Sequence, residues 1–326
     1  MNAISRPRRR LLSAAGGAAV LAGLPQAGRA AAWPDHAVNY VVPYPPGATS
    51  DNTARIVSQK LAEKLGQPFV IDNRPGAGGG LGTEYAAKAR ADGYTLLNAT
   101  SAIFAVVPQL IKAGYDPFKD FTPLGMIGNS VTVLAVRNDL PVNSLAELVA
   151  YSKAHPGTLN YATSGNGSGG HLSTEYLKLK TGLDAQHVPY KGSAAAANDL
   201  VAGRVDLFFD PLAAQFARAG KVKALAIAGA PRSELLPGVP PIQATVPDWD
   251  FDLYFFVAAP AGIPDDIRRT LVRTVGEVTA DPGVVEKLKA LSLVPAPLAP
   301  EQISARLRRD FAVAGNIIRS AKVVAD

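Results

Sequence analysis

Chemistry in this sequence concentrates in three loops, and the residue types there suit the holding of an anion better than the making of bonds. The first is Pro43-Tyr44-Pro45-Pro46-Gly47-Ala48-Thr49-Ser50-Asp51. Its prolines keep the chain stiff and extended, and Gly47 lets a ligand approach the backbone. Ser50 or Asp51 can cap a following helix whose first N–H groups point at an anion; a plain strand-to-helix turn would use the same residues. The second loop is Pro75-Gly76-Ala77-Gly78-Gly79-Gly80-Leu81-Gly82-Thr83. Its glycines are conformationally costly and imply either close backbone packing or contact with a ligand. The third is Thr163-Ser164-Gly165-Asn166-Gly167-Ser168-Gly169-Gly170-His171, whose hydroxyls and N–H groups make an anion nest at a helix start.

Other chemistries find less support. Gly165, Gly167 and Gly170 satisfy the G-x-G-x-x-G fingerprint, which leaves an exported NAD(P)-dependent oxidoreductase as the rival reading. A dinucleotide site wants an acid at the end of the next strand, where this chain has Val188-Pro189-Tyr190-Lys191. His36, His155, His171 and His187 are scattered without paired spacing, so no metal site is expected. No G-x-S-x-G nucleophile elbow is present. His171, just inside a helix start, reads as a capping or positioning residue rather than a base. Asp210 either hydrogen-bonds a ligand or caps the helix after Pro211. The reading is a binding protein with no cofactor, not an enzyme.

Ligands of open α/β sheets sit at the carboxyl ends of strands, so strands followed by helices have to position these loops. Val38–Pro43, Phe69–Asp72 and Tyr94–Ala99 read as strands, with helices over 54–65 and 81–90 between them. The order repeats with strands at 159–163, 186–188, 205–209 and 222–228, and helices at 170–181, 194–202 and 212–219. Such βαβ series imply parallel sheets covered by helices. Thr132–Arg137 and Tyr254–Ala259, two extended apolar runs, are expected to cross between the two halves. Helices near 264–279, 283–291 and 300–322 return to the first half; in the last, Ile303, Leu307, Phe311, Ala314 and Ile318 form one apolar stripe.

The first 32 residues read as an export signal. Arg6, Arg8, Arg9 and Arg10 precede an apolar run of about 14 residues and a small-residue exit at Ala30-Ala31-Ala32. That run is shorter than the ~20 residues a bilayer span needs. Arg8-Arg9-Arg10-Leu11-Leu12 fits the twin-arginine form, apart from Pro7 where Ser or Thr is usual. Residues 1–32 hold five Arg and no acid, so their removal lowers the formal charge from +6 to +1. The basic balance therefore belongs to the leader and argues for no nucleic-acid partner. With no Cys in the chain, a disulfide and a lipobox anchor are excluded.

Eight stretches carry a family resemblance. They are Val42-Pro43-Tyr44-Pro45-Pro46-Gly47, Asn73-Arg74-Pro75-Gly76-Ala77-Gly78-Gly79, Asp92-Gly93-Tyr94-Thr95-Leu96-Leu97 and Tyr115-Asp116-Pro117-Phe118-Lys119-Asp120-Phe121. Leu159-Asn160-Tyr161-Ala162-Thr163 follows, then Gly167-Ser168 with His171-Leu172, Val188-Pro189-Tyr190-Lys191-Gly192 and Ala258-Ala259-Pro260-Ala261-Gly262. In these the chain resembles the tripartite tricarboxylate transporter receptors, the Bug family of periplasmic solute-binding proteins. The resemblance implies a two-lobed, type II-like periplasmic-binding-protein fold, each lobe a mainly parallel sheet flanked by helices, with two crossover strands. Residues 33–131 with 254–326 are expected to form one lobe and 132–253 the other. It further implies a monomeric periplasmic receptor that takes a small organic carboxylate in the cleft and passes it to membrane subunits of the transporter, or to a sensor. Carried over residue by residue, the ligand-holding positions are Tyr44, Gly47, Ala48, Thr49 and Asp51 on one wall. Ser101 and Ala102 follow the third strand. Thr163, Ser164, Asn166, Gly167, Ser168, His171, Tyr190 and Asp210 form the other wall. Ala48 replaces a frequent second glycine, Pro211 a frequent small polar residue, and Gly315 a frequent Trp.

Overall fold

Two runs of alternating strand and helix build two sheets, and the same strand order recurs in both. The computed structural model describes residues 33–230 and 236–324; the expected export signal, with its cleavage site and route, lies outside the described residues. In the first run β1 (Val38–Val42) leads through α1 (Thr49–Leu65) to β2 (Phe69–Asn73), then through α2 (Gly80–Ala87) to β3 (Thr95–Thr100). β1 pairs in parallel with β2 and β3, with Val38 opposite Phe69 and Tyr40 opposite Leu96. The apolar runs recognised in the sequence are these strands, since strands covered on both faces carry continuous rather than alternating hydrophobicity.

Beyond β3 come α3 (Ser101–Ala105), α4 (Val107–Leu110) and the long β4 (Phe121–Ser130). β5 (Thr132–Val136) and α5 (Leu145–Ala154) open the second run. It continues through β6 (Asn160–Thr163), α6 (Gly169–Thr181), β7 (Gln186–Pro189), α7 (Ser193–Val201), β8 (Leu207–Asp210), α8 (Ala213–Arg218) and β9 (Lys223–Ala228). The chain then returns through β10 (Tyr254–Pro260), α9 (Asp265–Ala280), α10 (Pro282–Ala290), β11 (Leu293–Val294) and α11 (Pro300–Ala321).

The sheets run β11-β4-β10-β3-β1-β2 and β7-β6-β8-β5-β9. Each therefore has three parallel strands, then a strand that arrives from the other sheet, then the last local strand, and β11 adds a sixth strand at the edge of the first sheet. Both arriving strands, β10 and β5, are antiparallel to their neighbours, which makes the sheets mixed, and both are buried along their whole length.

Thr132–Arg137 and Tyr254–Ala259 were expected as crossovers, and they differ from that expectation in one respect. Each forms a strand that lies wholly within one sheet. The chain passes between sheets at Val131 and again at residues 251–253, and these passages are tied together: Ser130 N–H donates to the Leu253 carbonyl at 2.8 Å. Gly229 closes against the same spot, where a Cβ would stand 2.1 Å from the Ser130 carbonyl oxygen.

The apolar stripe of α11 also does more than expected. Ile303 and Leu307 join the first core, with Val41, Leu97 and Phe256. Ala314 and Ile317 belong to a second core, with Leu134, Leu172 and Leu207. One helix thus closes a core beside each sheet. Among the described residues no helix is long and apolar enough to cross a membrane.

Candidate functional site

The first loop is shaped by a buried carboxylate. Asp51 is 2% exposed. One of its oxygens accepts the Gly47 N–H and Arg55 Nε–H, each at 2.9 Å; the other accepts Asn73 Nδ2–H at 2.9 Å. Burial alone would raise its pKa, but the hydrogen bonds from Arg55, Gly47 and Asn73 together hold it below the ordinary carboxylate range. Asn73 also donates to the Tyr44 carbonyl at 3.1 Å, so the end of β2 clasps the loop. Deeper, Asn98 accepts from Tyr40 Oη at 3.0 Å and donates to both oxygens of Ser50 at 2.9 Å. Gly47 takes φ +81°, the left-handed region that a side chain disfavours. α1 then begins at Ala48 without a side-chain cap, and its first-turn N–H groups, including that of Thr49, have no partner within the helix.

The glycines of the second loop serve packing. A Cβ on Gly82 would stand 2.5 Å from the Arg74 carbonyl oxygen and 2.9 Å from Pro43 Cα; one on Gly79 would stand 2.8 Å from Ile103 and 3.3 Å from the Tyr44 ring. Gly78 and Gly80 face Val107 of α4. Tyr44 reaches across to Thr100, their hydroxyls 3.1 Å apart, and burial raises the Tyr44 pKa against that bond. Thr100 caps α3 through the Ile103 N–H. Ser101 Oγ accepts the Tyr254 N–H at 3.3 Å, and Ser101 and Ala102 border a closed gap with Phe251, Asp252 and Asp310, beside the second passage between sheets.

The third loop meets the same region. A Cβ on Gly167 would lie 2.4 Å from Leu110 Cδ1 of α4. α4 is therefore flanked by the glycine loop of one sheet and the hydroxyl-rich loop of the other, so all three loops singled out in the sequence fall in one contiguous zone. Within the third loop Thr163 is fully buried and its hydroxyl bonds the Gly165 carbonyl at 3.1 Å and His187 Nε2 at 2.7 Å. Gly192 N–H donates to the Ser164 carbonyl. Ser168 caps α6 by accepting the His171 N–H, and His171 Nδ1 accepts the Gly167 N–H at 3.1 Å. Asn166 and Ser168 are half-buried. Gly170 fits against β8, where a Cβ would lie 2.6 Å from the Phe209 carbonyl.

Asp210 is bonded within the protein, ahead of α8, whose own start at Leu212 has no side-chain cap. Its carboxylate accepts the Leu212 N–H and the Ser193 hydroxyl, each at 2.8 Å, while burial raises its pKa against those bonds. Tyr190 donates its hydroxyl to Asp199 at 2.8 Å; burial, then Asp199, raises its pKa. The side chains of Asp51 and Thr163 thus hold the first and third loops in shape, while those of Ser101, Tyr190 and Asp210 are engaged with Tyr254, Asp199 and the Ser193–Leu212 pair. Asn73, Asn98, Thr100, His187 and Ser193 were not singled out in the sequence. Asn98 carried a signal there, as a polar residue inside the apolar run Leu96-Leu97-Asn98-Ala99. Among the described residues no cluster of His, Cys, Asp or Glu could hold a metal. A separate groove of about 310 Å³ between α6 and α11, lined in part by Tyr176, Lys180 and Asn316, shares no residue with the loops.

Comparison with known proteins points one way. The family model described as "Tripartite tricarboxylate transporter family receptor" matches residues 53–322. Protein BugT of Bordetella pertussis is 37% identical over 298 residues, covering 90% of this chain and 91% of BugT. Among solved structures, R. palustris Rpa4515 with adipate has a TM-score of 0.82 at 37% identity, covering 90% of this chain and 100% of that one. MatC from Rhodopseudomonas palustris with bound malate has a TM-score of 0.77 at 32% identity, covering 88% and 100%. The nicotinamide reading gains nothing from these matches, and Gly167 and Gly170 have packing reasons of their own.

Proposed function

The chain belongs to the tripartite tricarboxylate transporter receptor family, and from that footing we propose that it captures a small organic carboxylate between its two lobes. Residues 33–131 with 254–326 form one lobe and 132–253 the other, and they close about Val131 and residues 251–253. The observation that carries the reading is the meeting of the two loop systems at α4, with the uncapped start of α1 on one side and the Gly-Ser loop before α6 on the other. Backbone N–H groups of Thr49, Ser101 and Ala102 face the ligand from one wall, which Gly47 and Ala48 shape with their own N–H groups held by Asp51 and the Pro45 carbonyl. The hydroxyls of Ser164 and Ser168 and the Asn166 side chain face it from the other, while the Gly167 and Ser168 N–H groups are held within the loop by His171 and the Gly165 carbonyl. Tyr44, Asp51, Thr163, His171, Tyr190 and Asp210 support them.

The magnitudes are adequate without an arginine clamp. Four charge-assisted hydrogen bonds at about 1.5–3 kcal/mol each give about 6–12 kcal/mol gross, and micromolar affinity needs about 8 kcal/mol net. Adipate and malate, seen in two relatives, set the size class. The receptor is exported by its first 32 residues, works as a monomer in the periplasm, and hands its cargo to the membrane subunits of the transporter or to a sensor. The test is calorimetric titration of ligand-free protein with mono-, di- and aromatic carboxylates. Micromolar binding of one class is expected, and silence across the panel overturns the proposal.

A further inference from the structure

Beneath the third loop lies a stack of rings that the carboxylate reading does not use. His171, 6% exposed, stacks on His187 with centroids 3.9 Å apart and planes 18° from parallel. His187 stacks in turn on Tyr161 at 4.9 Å and 22°. Both imidazoles reach up into the loop. His171 Nδ1 accepts the Gly167 N–H at 3.1 Å, and His187 Nε2 lies 2.7 Å from the Thr163 hydroxyl, whose oxygen also accepts the Gly165 N–H at 3.3 Å. Two loop amides are thus tethered to two imidazoles, one directly and one through Thr163.

Because a backbone N–H can only donate, Nδ1 of His171 must be an acceptor here, which only the neutral ring offers. We infer that His171 is a positioning residue that ties the ordering of the Gly165–Gly167 loop to its own neutrality, so that capture of the ligand weakens as the pH falls through the imidazole range. This rests on the loop being a wall of the ligand site, as proposed above. Protonated His171 would set an N–H against the Gly167 N–H, turning an attraction into a repulsion, and charging both stacked rings would place two cations in contact.

The acidic groups on the neighbouring elements already have partners of their own. From α6, Glu175 already accepts the Tyr161 hydroxyl at 2.5 Å and Lys178 Nζ at 2.7 Å. From β6 come Tyr161, whose proton goes to Glu175, and the uncharged Thr163. From β7 comes His187 itself. Asp210, at the end of β8, is held by Leu212 and Ser193. Since unperturbed histidine titrates near ~6.5, the device responds across the range in which an imidazole ordinarily changes charge.

The test has two arms. In the first, ligand-free protein labelled with 15N is titrated from pH 8 to 5. His171 Nδ1 should be unprotonated at pH 8, and the Gly167 amide should move with the imidazole's midpoint. In His171→Asn, whose amide oxygen can accept without titrating, the Gly167 amide should stay put. In the second arm, dissociation constants for adipate and malate are measured at pH 7.5 and 5.8 for wild type and His171→Asn. Protonation of the acids affects both proteins alike, so the wild type should weaken up to about 5-fold more than the variant. A Gly167 amide indifferent to the imidazole, or equal pH dependence in the two proteins, overturns the inference. If neither acid binds wild type at pH 7.5, the carboxylate reading fails for them, and the first arm still decides this one.

Discussion

At the scale of single residues, Asp51 does the most for its size. It lies 2% exposed with both oxygens engaged, and its carboxyl is held below the ordinary range. Such a group stabilises the fold fully above its unfolded pKa of about 3.9, and that contribution disappears as the pH falls toward the lower folded value. Asp51→Asn turns one acceptor into a donor facing Gly47 or Asn73. It should cost about 1–3 kcal/mol in urea unfolding at pH 6, with the gap to wild type narrowing as the pH falls below about 3.9. A gap that stays open in acid would mean that shape, not charge, is what Asp51 supplies. The sequence marked Asp51 as a ligand-facing or capping residue because it stands at a helix start. It could not reveal Asn73 as the clasp, since a contact 22 residues away leaves no local pattern.

Among the elements, α11 carries the clearest consequence. Leu307 and Ile317, 1% and 2% exposed, sit in different cores. Leu307→Ala and Ile317→Ala should each cost about 2–5 kcal/mol. Hydrogen exchange should separate them, with Leu307→Ala loosening amides around β3 and β10 and Ile317→Ala those around β5 and β8. Identical exchange maps would contradict the assignment to two cores. The amphipathic stripe made the helix legible, but periodicity says which face is buried and not against what. β4 was hidden for a local reason: Pro123, Gly125 and Gly128 break its strand signal. α5 had a readable start, with Ser144 accepting the Glu147 N–H at 3.1 Å in a Ser-x-x-Glu frame. The alternation of strands and helices announced parallel pairing, yet the insertion of β10 and β5 depends on where distant segments dock.

For the whole molecule, the two passages between sheets are where the lobe closure proposed above hinges. Gly229, at φ +85°, presses on Ser130 there. Gly229→Ala adds left-handed strain and a clash with backbone, together about 2–4 kcal/mol, and should lower the thermal midpoint by about 4–8 °C or more. A midpoint within 1 °C of wild type would show that the passage yields without cost. The loops were recognisable from composition, but their convergence on α4 was not, because Leu110 gives no hint in sequence of the glycine it covers. The position of α11 has a further bearing on how the chain matures. Both interiors stay open until α11 has been made and docked, so a polypeptide lacking it cannot seal either half. A single proteolytic cut just before Pro300 would unroof two rooms at once.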